Sequence, residues 1–352
     1  KIYAVTTLPV THYLKPYHTI RYEYDNVTVF GVAVPSEDSA TYDNPAFSKT
    51  VTEIIELVKP DIAHIHCIQG IGVGIVEECR CRNIKTVVTF HDAWWILPNQ
   101  FMLDDDPFRK NRDSAPFTDG KMLENALSKI DLLLAPSRYF ADVHEQRLRR
   151  TVVVNKNGVT QPTHKIEKHK SRTVRFGYVS GATPIKGIHL ILEAFKKYNF
   201  ESTQLCVVDN MLNIGSPSFF DKDFEGIRNY QIVPAYNQSN IDQFFSEIDV
   251  LLFPTQCKES FGLTVREAVL RDVWVITTDA GGVVEDIIDG ENGTIIPFDS
   301  DAEILARAIR DTCNRYEAIP EDTVINLPKS HIRSFKEQQE ELLQMYQKLL
   351  ER

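Results

Sequence analysis

Long apolar runs and the cysteine spacings of common zinc or redox motifs are both missing from this sequence. No stretch approaches the roughly eighteen apolar residues that a membrane-spanning helix needs, and the N-terminus lacks the apolar core of a signal peptide. Only Cys79 and Cys81 lie close together, and the one residue between them fits no common zinc or redox spacing. These absences exclude a disulfide scaffold as the basis of the fold and predict reduced thiols in a cytosolic protein.

A surplus of positive charge is missing as well. The net charge of −10 over 352 residues argues against binding nucleic acid or anionic lipid over the whole surface, so no nucleic acid partner is predicted. No Gly-x-Gly-x-x-Gly follows a predicted strand, which disfavours a dinucleotide-dependent oxidoreductase. We identify no Asp-x-Asp metal motif in a plausible loop, so no metal ligand and no cofactor are predicted.

What the sequence does contain is an alternation of short β-branched runs with amphipathic segments, which is typical of βα units on a parallel sheet. In the first half, the predicted strands are Ile2–Thr6, Val27–Val34, Asp61–Ile65, Lys85–Phe90, Asp131–Ala135 and Val152–Val154. The predicted helices between them are Phe47–Lys59, Gly72–Cys81 and Ser137–Arg147.

The same alternation restarts after Gln161–Thr173, a polar and basic stretch without periodicity that is predicted to be a linker. The strands predicted there are Val174–Val179, Gln204–Val208, Tyr230–Val233, Asp249–Phe253 and Val273–Thr277. The helices are Gly187–Tyr198, Gln238–Glu247, Gly262–Arg271 and a long terminal helix over Ile332–Leu350. We therefore predict an α/β protein with two Rossmann-like domains, over residues 1–165 and 172–330, followed by a C-terminal helix over residues 331–352. Ligands of parallel sheets bind at the carboxyl ends of the strands, so we expect the site in the cleft between the domains.

The strongest local signal is Glu259-Ser-Phe-Gly-Leu-Thr-Val-Arg-Glu267, which opens a predicted helix directly after a strand. If all eight intervening steps rise as in an α-helix, the two carboxylates lie about 12 Å apart. The working carboxylates of glycosidases are about 5–9.5 Å apart, so the spacing favours a clamp on two parts of one ligand over a hydrolase pair. The N–H groups of Gly262, Leu263 and Thr264 at the helix start favour a pyrophosphate. The alternative is a helix with stabilising acidic residues near its N-terminus.

A second element is the loop Phe176-Gly-Tyr-Val-Ser-Gly-Ala-Thr-Pro-Ile-Lys186-Gly187. Lys186 stands at the start of the next predicted helix, where a cation is electrostatically unfavourable because helix N-termini carry partial positive charge. A bound phosphate between the ammonium and the helix N–H groups would remove this conflict. Taken alone, the Lys-Gly pair is a weak signal, and a solvated lysine is the favoured explanation.

With these elements in place, the sequence resembles the large family four of retaining glycosyltransferases, which have the two-domain GT-B fold. The resemblance covers nearly the whole chain, and the matching segments are Lys59–His66, Thr89–Asp92, Ala135–Ser137, Asn157–Val159, Lys186–Gly187, Glu259–Glu267, Thr278–Gly282 and Asp289–Gly293. The first domain would then bind the acceptor and the second the donor, with the C-terminal helix crossing back to the first domain.

The resemblance implies a retaining, metal-independent transfer of a hexosyl group from a nucleoside-diphosphate sugar. The catalytic residues would be His91 near the sugar, Lys186 on the diphosphate and Glu259 on the transferred sugar, while Glu267 would hold the donor ribose. The other implied donor-binding residues are Gly187, Ser260, Phe261, Gly262, Leu263 and Thr264. The acceptor would be a glycan, a lipid-linked sugar or a small molecule, in the synthesis of a bacterial surface polysaccharide, glycolipid or related glycoconjugate.

Two departures from the family pattern leave other functions open. Many members carry an arginine five residues before the lysine, where this chain has Gly181. Members also open with a strand, a Gly-Gly loop and a helix before a strand like Ile2–Thr6, whereas here Lys1 begins directly at the second strand. We expect either that the chain is a segment of a longer polypeptide or that residues 7–26 rebuild the missing unit. Without that unit, a central position of the first sheet would be empty. The alternatives are a non-catalytic nucleotide-sugar-binding partner and a nucleotide-sugar epimerase.

Other aromatic and basic residues have two interpretations each. His64 and His66 alternate on one strand and could mimic metal ligands, but core packing or loop hydrogen bonds are favoured. Trp94 and Trp95 could line an acceptor pocket or simply pack a loop. The run Phe108–Arg112 is predicted to be a solvated loop, with contact to acceptor phosphates or to a membrane surface as the alternative. We predict a cytoplasmic protein. The alternative is a cytoplasmic protein with peripheral contact at the inner face of the membrane.

Overall fold

The computed structural model describes residues 1–97, 101–102, 119–163, 167–198, 200–321, 323–329 and 332–351. The chain divides into two compact units. The first contains the described residues up to 101, those from 119 to 155 and those from 340 onward. The second contains Met102 and the described residues from 156 to 339. The run Phe108–Arg112 lies outside the described residues.

The first unit begins with a three-stranded sheet in the order β1-β3-β2, within the described residues. β1 (Tyr3–Pro9) extends three residues past the end of the predicted strand Ile2–Thr6 and pairs parallel with β3 (Val27–Val34), which has its predicted bounds. β2 (Thr19–Tyr24) pairs antiparallel with β3 on its other side. β3 is buried along nearly its whole length, and helix α1 (Pro45–Val58) packs on the face that carries Phe30, Val32 and Val34. Asn44 caps this helix by accepting a hydrogen bond from the Phe47 amide at 3.0 Å.

A second, four-stranded parallel sheet follows in the order β4-β5-β6-β7. Its strands are Ile62–Ile65, Lys85–Thr89, Leu132–Ala135 and Val153–Val154, each within one residue of its predicted bounds. The helices of this part are α2 (Gly74–Cys81), α3 (Gly120–Ser128) and α4 (Arg138–Leu148). The sequence reasoning missed α3 and β2.

A cavity of about 460 Å³ lies where these two sheets face each other. Residues of β1 line one side, residues of β4 line the other, and apolar side chains of α1 form its floor. Within the described residues, β1 pairs only with β3 and β4 only with β5, so the strand edges beside the cavity are unpaired. β2 lies on the far side of β3 and so is not between β1 and β4.

The second unit has, in its described part, one six-stranded parallel sheet in the order β11-β10-β9-β12-β13-β14. The strands in chain order are β9 (Val174–Tyr178), β10 (Thr203–Asp209), β11 (Tyr230–Pro234), β12 (Val250–Phe253), β13 (Trp274–Thr278) and β14 (Gly293–Ile296). This is the 3-2-1-4-5-6 order of dinucleotide-binding sheets, and the direction of winding reverses between β9 and β12.

Helices cover both faces of this sheet. Helices α5 (Ile188–Tyr198) and α8 (Ala302–Ala318) pack on one face, and α6 (Ile241–Ser246) and α7 (Leu263–Leu270) pack on the other. The chain ends in α9 (Phe335–Leu350), three residues shorter at its start than predicted. The sequence reasoning missed β14 and α8, although Asp301 supplies an N-cap for α8 through hydrogen bonds from Glu303 and Ile304.

The linker predicted over residues 161–173 is not irregular throughout, because it contains a short strand. Within that segment β8 (Lys168–His169) pairs antiparallel with β15 (Val324–Ile325). Lys168 is 3% exposed, and its ammonium donates hydrogen bonds to the backbone carbonyls of Phe245 and Ile248 at the end of α6. Burial lowers the pKa of Lys168 to about 8. A lysine that looks solvated in the sequence is therefore an anchor of this unit.

Candidate active site

The candidate site of the second unit is built from loops that follow the strands on either side of the reversal point. The loop after β9 carries Lys186, and the loop after β12 carries Glu259. The carboxyl ends of parallel strands at a reversal point are the usual place for ligands in such sheets.

The two loops touch through their backbones. The Gln256 amide donates to the carbonyl of Ile185 at 2.7 Å. Gly187 has a φ of +79°, and a Cβ there would lie 1.9 Å from the Pro254 carbonyl oxygen. Only glycine fits this position, because the left-handed backbone and the close approach both exclude a side chain. The Lys186-Gly187 pair is thus required by the way the two loops meet.

Lys186 and Glu259 form an ion pair, with 2.6 Å between Nζ and Oε1. Their side chains are 24% and 14% exposed. Thr255 donates a hydrogen bond to the same Oε1 at 2.8 Å, and the buried Cys257 thiol lies 3.8 Å from Nζ. Burial alone would lower the pKa of Lys186, but the neighbouring Glu259 carboxylate and Cys257 outweigh it, so this pKa is raised and the ammonium stays charged.

Within the described residues, Glu259 Oε2 has no hydrogen-bond partner, since the contacts from Lys186, Thr255 and Cys257 all go to Oε1. The backbone of Glu259 is held on both sides by the loop after β13. Its amide donates to the carbonyl of Ala280 at 2.8 Å, and its carbonyl accepts from the amide of Gly282 at 2.9 Å. The carboxylate is therefore fixed in place and keeps one oxygen available to a ligand.

Helix α7 begins beside this pair, one residue after Gly262. Gly262 has a φ of +82°, and a Cβ there would lie 2.6 Å from a methyl group of Val283. No described residue accepts a hydrogen bond from the amides of Gly262, Leu263 or Thr264. Ser260 is partly exposed, whereas Phe261 is buried. The start of α7 thus presents unpaired N–H donors, which together with the helix dipole favour an anion.

Arg266 holds this helix start in position, a role that the sequence reasoning missed. Its side chain is fully buried and lies 2.5 Å from the Asp286 carboxylate. It also donates to the carbonyls of Phe261, Gly262 and Gly282 and lies over the Phe261 ring at 3.6 Å. Burial is the largest effect on the pKa of Arg266 and lowers it, against the opposing charge of Asp286. The arginine inside the Glu-x7-Glu segment is structural.

Glu267 lies in α7 and has a different partner from Glu259. The Tyr236 hydroxyl donates to Glu267 Oε2 at 3.1 Å, and the Tyr236 ring stacks on Phe244 at 4.8 Å. Burial raises the pKa of Glu267, and the Tyr236 hydrogen bond opposes that rise. Since α7 starts at Leu263, only part of the Glu259–Glu267 span is helical, and the 12 Å estimate, which assumed a helix throughout, does not hold. Nothing in the sequence marks Tyr236, which follows β11 on another loop.

Gly181 lies in the loop after β9, at the position where an arginine was expected. Its φ is +68°, its carbonyl accepts a hydrogen bond from the Tyr178 hydroxyl at 3.0 Å, and a Cβ there would meet nothing within 4 Å. The position is open in space, but its backbone conformation disfavours any residue other than glycine.

In the first unit, His91 follows β5 and lies beside His66, which follows β4. His66 Nδ1 and His91 Nε2 are 2.9 Å apart, and both rings have an exposed face. The protein packed around the other face lowers the pKa of His91 to about 4. His64 is held inside the unit, with Nδ1 2.5 Å from the Tyr346 hydroxyl and Nε2 2.7 Å from Thr89 Oγ1. His64 therefore has the structural role favoured from the sequence.

The tryptophans that follow His91 contribute to packing of the loop. Trp95 is buried, 6.3 Å from the Phe90 ring, and Trp94 lies 5.8 Å from the Tyr42 ring. Among the described residues, no cluster of three or more His, Cys, Asp or Glu side chains could hold a metal ion. The six cysteines are all described, and none of them forms a disulfide. The helices of the described chain include none with the length and apolarity needed to cross a bilayer.

Comparison with known proteins places the two units in known families. Residues 10–160 match the model of Glycosyltransferase Family 4, and residues 159–320 match the model of Glycosyl transferases group 1. The chain is 31% identical to the capsular polysaccharide biosynthesis glycosyltransferase CapM of Staphylococcus aureus, over 38% of this chain and 36% of CapM. The chain spans 36–63% of the length of the curated relatives that it matches.

Solved structures share the fold over almost the whole chain. Sucrose-phosphate synthase from Thermosynechococcus elongatus aligns with a TM-score of 0.69 at 14% identity, covering 98% of this chain and 88% of that one. Anabaena HepE in complex with UDP and glucose aligns with a TM-score of 0.63 at 15% identity, covering 92% and 86%. The predicted α/β fold with two Rossmann-like units of the GT-B type is confirmed.

The fold and the two family matches together define a protein of the glycosyltransferase class. More narrowly, the first half of the chain matches the family 4 model and the second half matches the group 1 model of glycosyltransferases.

Proposed function

We propose that this chain is a retaining, metal-independent glycosyltransferase that moves a sugar from a nucleoside-diphosphate sugar to an acceptor. The observation that carries the proposal is the Lys186–Glu259 ion pair beside the unpaired N-terminus of α7. Lys186 and the amides at the start of α7 suit an anion, and the Glu259 carboxylate suits an electron-poor sugar.

The diphosphate of the donor binds at Lys186 and the start of α7. An ammonium group has three N–H donors; one goes to Glu259 and a second, longer contact goes to the Cys257 sulfur. The third donor and the amides of Leu263 and Thr264 can hold phosphate oxygens in the way that helix N-termini commonly do. Because these groups are fixed by the loop contacts, they require little rearrangement when charge develops on the leaving group.

Glu259 and Glu267 hold the two ends of the donor. Glu259 Oε2, which has no partner among the described residues, accepts a hydrogen bond from a hydroxyl of the transferred sugar. Glu267 keeps its Oε1 for the ribose hydroxyls, while Tyr236 orients the carboxylate through Oε2. Each carboxylate thus uses one oxygen for its protein partner and one for substrate.

In the transfer step, the bond between the anomeric carbon and the diphosphate oxygen breaks as the acceptor oxygen forms a bond on the same face. The acceptor proton passes to the departing diphosphate, so the charges balance without an added base. Lys186 and the α7 amides stabilise the diphosphate, a task that a metal ion performs in many other phosphate-transferring enzymes. In the first unit, His91 contacts a hydroxyl of the substrate.

The relatives support a nucleotide-sugar donor and a glycan acceptor. HepE was solved with UDP and glucose, and CapM is named for capsular polysaccharide synthesis. We therefore propose a uridine-type or similar nucleoside-diphosphate hexose as donor. The acceptor is a glycan or lipid-linked glycan used in a surface polysaccharide or related glycoconjugate.

A panel of nucleotides and nucleotide sugars, followed by acceptors, tests the proposal. A donor present at about 100 times its dissociation constant should stabilise the protein by about 2.7 kcal/mol in thermal unfolding. With the donor known, transfer to glycan acceptors should survive exhaustive EDTA treatment. Loss of transfer on chelation, restored by magnesium or manganese, would contradict the metal-free mechanism.

A non-catalytic, nucleotide-sugar-binding protein is the second candidate, and the open position at Gly181 favours it. Without a second cation in this loop, the diphosphate could bind without being activated. Donor binding with no product from any acceptor would support this alternative. An epimerase would instead convert the donor when no acceptor is present.

A further inference from the structure

The hydrogen bond between His66 and His91 raises the question of which ring carries the proton that they share. His66 Nδ1 lies 2.9 Å from His91 Nε2, and the two ring planes differ by 21° with 5.2 Å between the ring centroids, so the rings meet edge to edge. A neutral imidazole has one N–H donor and one bare acceptor nitrogen. The tautomer of one ring therefore determines the tautomer of the other.

The remaining nitrogens of the pair are open. No described residue forms a hydrogen bond with His91 Nδ1 or with His66 Nε2, and both rings are exposed on one side. His64 packs against His66 with 4.1 Å between ring centroids, and both of its own nitrogens are occupied by Tyr346 and Thr89. His66 is thus backed by a fixed ring, and no described residue occupies Nδ1 of its partner His91.

Two arrangements of protons satisfy the contact. If His66 donates, both rings adopt the Nδ1–H form; if His91 donates, both adopt the Nε2–H form. The Nε2–H form is the more stable tautomer of free neutral histidine. The second arrangement therefore gives both rings their preferred form and leaves His91 Nδ1 as a bare acceptor.

We propose that His66 is a positioning residue that accepts a hydrogen bond from His91 Nε2–H and so presents His91 Nδ1 as an acceptor for a substrate hydroxyl. The role of Nδ1 towards substrate rests on the proposed function. The tautomer itself does not, because it is a property of the protein without ligand.

The tautomers can be read by long-range proton–nitrogen NMR of protein labelled with ¹⁵N-histidine, at pH 8 and without ligand. The low pKa of His91, about 4, ensures that the ring is neutral there. We expect wild-type His91 to be protonated at Nε2 and unprotonated at Nδ1. Its signals among those of the ten histidines are identified as the ones that disappear in the His91→Ala variant. His91 protonated at Nδ1 would overturn the proposal.

Three variants separate positioning from simple packing. His66→Phe keeps a flat ring but removes the acceptor, so His91 should become a mixture of tautomers. His66→Asn offers an amide oxygen near the position of Nδ1 and should keep His91 in the Nε2–H form. His189→Phe, on the exposed side of α5, is the matched control and should change nothing. An unchanged His91 spectrum in His66→Phe would also overturn the proposal.

Activity measurements on the His66 and His91 variants, singly and combined, form a double-mutant cycle. We expect kcat/KM to fall about tenfold in His66→Phe, the loss of one well-placed hydrogen bond, and to be largely restored in His66→Asn. Because His66 acts through His91, the double variant should be no slower than His91→Ala alone. Additive losses with unchanged tautomers would contradict the positioning role. If no transfer is found at all, the proposed function fails while the NMR result still decides the tautomer.

Discussion

Replacing Lys186 with alanine removes a positive charge from the loop after β9 and leaves the Glu259 carboxylate without its ion-pair partner. Thr255 still donates to the same carboxylate oxygen, at 2.8 Å. Since the Glu259 side chain is only 14% exposed, water replaces the ammonium incompletely. The variant should therefore lose stability as well as turnover, for two different reasons.

The two losses have different sizes. Removing one preorganised donor to a developing anion costs about 100–1000-fold in kcat. Breaking a fully buried ion pair by removing one partner costs about 3–5 kcal/mol. Lys186 is 24% exposed and Glu259 keeps Thr255, so we expect a smaller loss of unfolding free energy, about 1–3 kcal/mol.

Steady-state kinetics and chemical unfolding measure the two losses in the same variants. In the double variant Lys186→Met with Glu259→Gln, no charge is left unpaired, so stability should recover while turnover stays low. Lys196→Ala, at an exposed position of α5, is the matched control and should leave both unchanged. A fall in kcat of less than tenfold in Lys186→Ala would refute the assignment of Lys186 to the leaving group.

Three further predictions concern other residues of the two units. In calorimetry, Glu267→Ala should weaken binding of the bare nucleoside diphosphate, and Tyr236→Phe should weaken it less. Glu259→Ala should instead mainly lower turnover. Equal affinity of wild type and Glu267→Ala for the nucleoside diphosphate would contradict the assignment of Glu267 to the ribose. Gly181→Arg should bind the diphosphate more tightly than Gly181→Ala, which carries the same backbone strain of about 1–2 kcal/mol without the charge; equal affinities would show that the loop does not face the phosphates. His144 is fully buried, and burial lowers its pKa to about 4, so the native state binds a proton at His144 less readily than the unfolded state does. The free energy of unfolding should therefore fall by about 3 kcal/mol as the pH drops from about 6.5 to about 4. In His144→Leu this part of the urea-unfolding pH profile should be absent, and an unchanged slope would contradict the assignment.

Elements with strong local signals could be predicted from the sequence, and those held by distant contacts could not. β3 is an apolar run interrupted only by Thr28, and it has the predicted bounds Val27–Val34; α1 packs on the side that carries Phe30, Val32 and Val34. All six residues of β2 are exposed, although Ile20, Tyr22 and Tyr24 alternate with polar residues; this alternation is a strand signal that the sequence reasoning missed. Lys168 was assigned to a linker because a lysine among polar neighbours looks solvated; the carbonyls that it satisfies lie 77 and 80 residues away.

In the candidate site, too, the residues with local sequence signals could be predicted and their distant partners could not. The glutamates of the Glu-x7-Glu segment and the Lys186-Gly187 pair stand in short segments of the sequence, where spacing and residue type can be read directly. Their partners stand elsewhere: Lys186 is 73 residues from Glu259, Tyr236 is 31 residues from Glu267, and His66 is 25 residues from His91. Periodicity and propensity describe neighbours in the chain, so they carry no information about these pairings.

The Lys186–Glu259 pair also suggests why a carboxylate stands beside a phosphate-binding lysine, where its negative charge would weaken phosphate binding. Under the proposed mechanism, bond cleavage places negative charge on the diphosphate and partial positive charge on the sugar. An ammonium and a carboxylate held 2.6 Å apart form a dipole that can stabilise both charges at once. In the ground state the carboxylate offsets part of the attraction for the diphosphate, so the donor is not bound more tightly than needed. The interaction becomes stronger as the charges separate, which is the condition for raising kcat instead of only lowering KM.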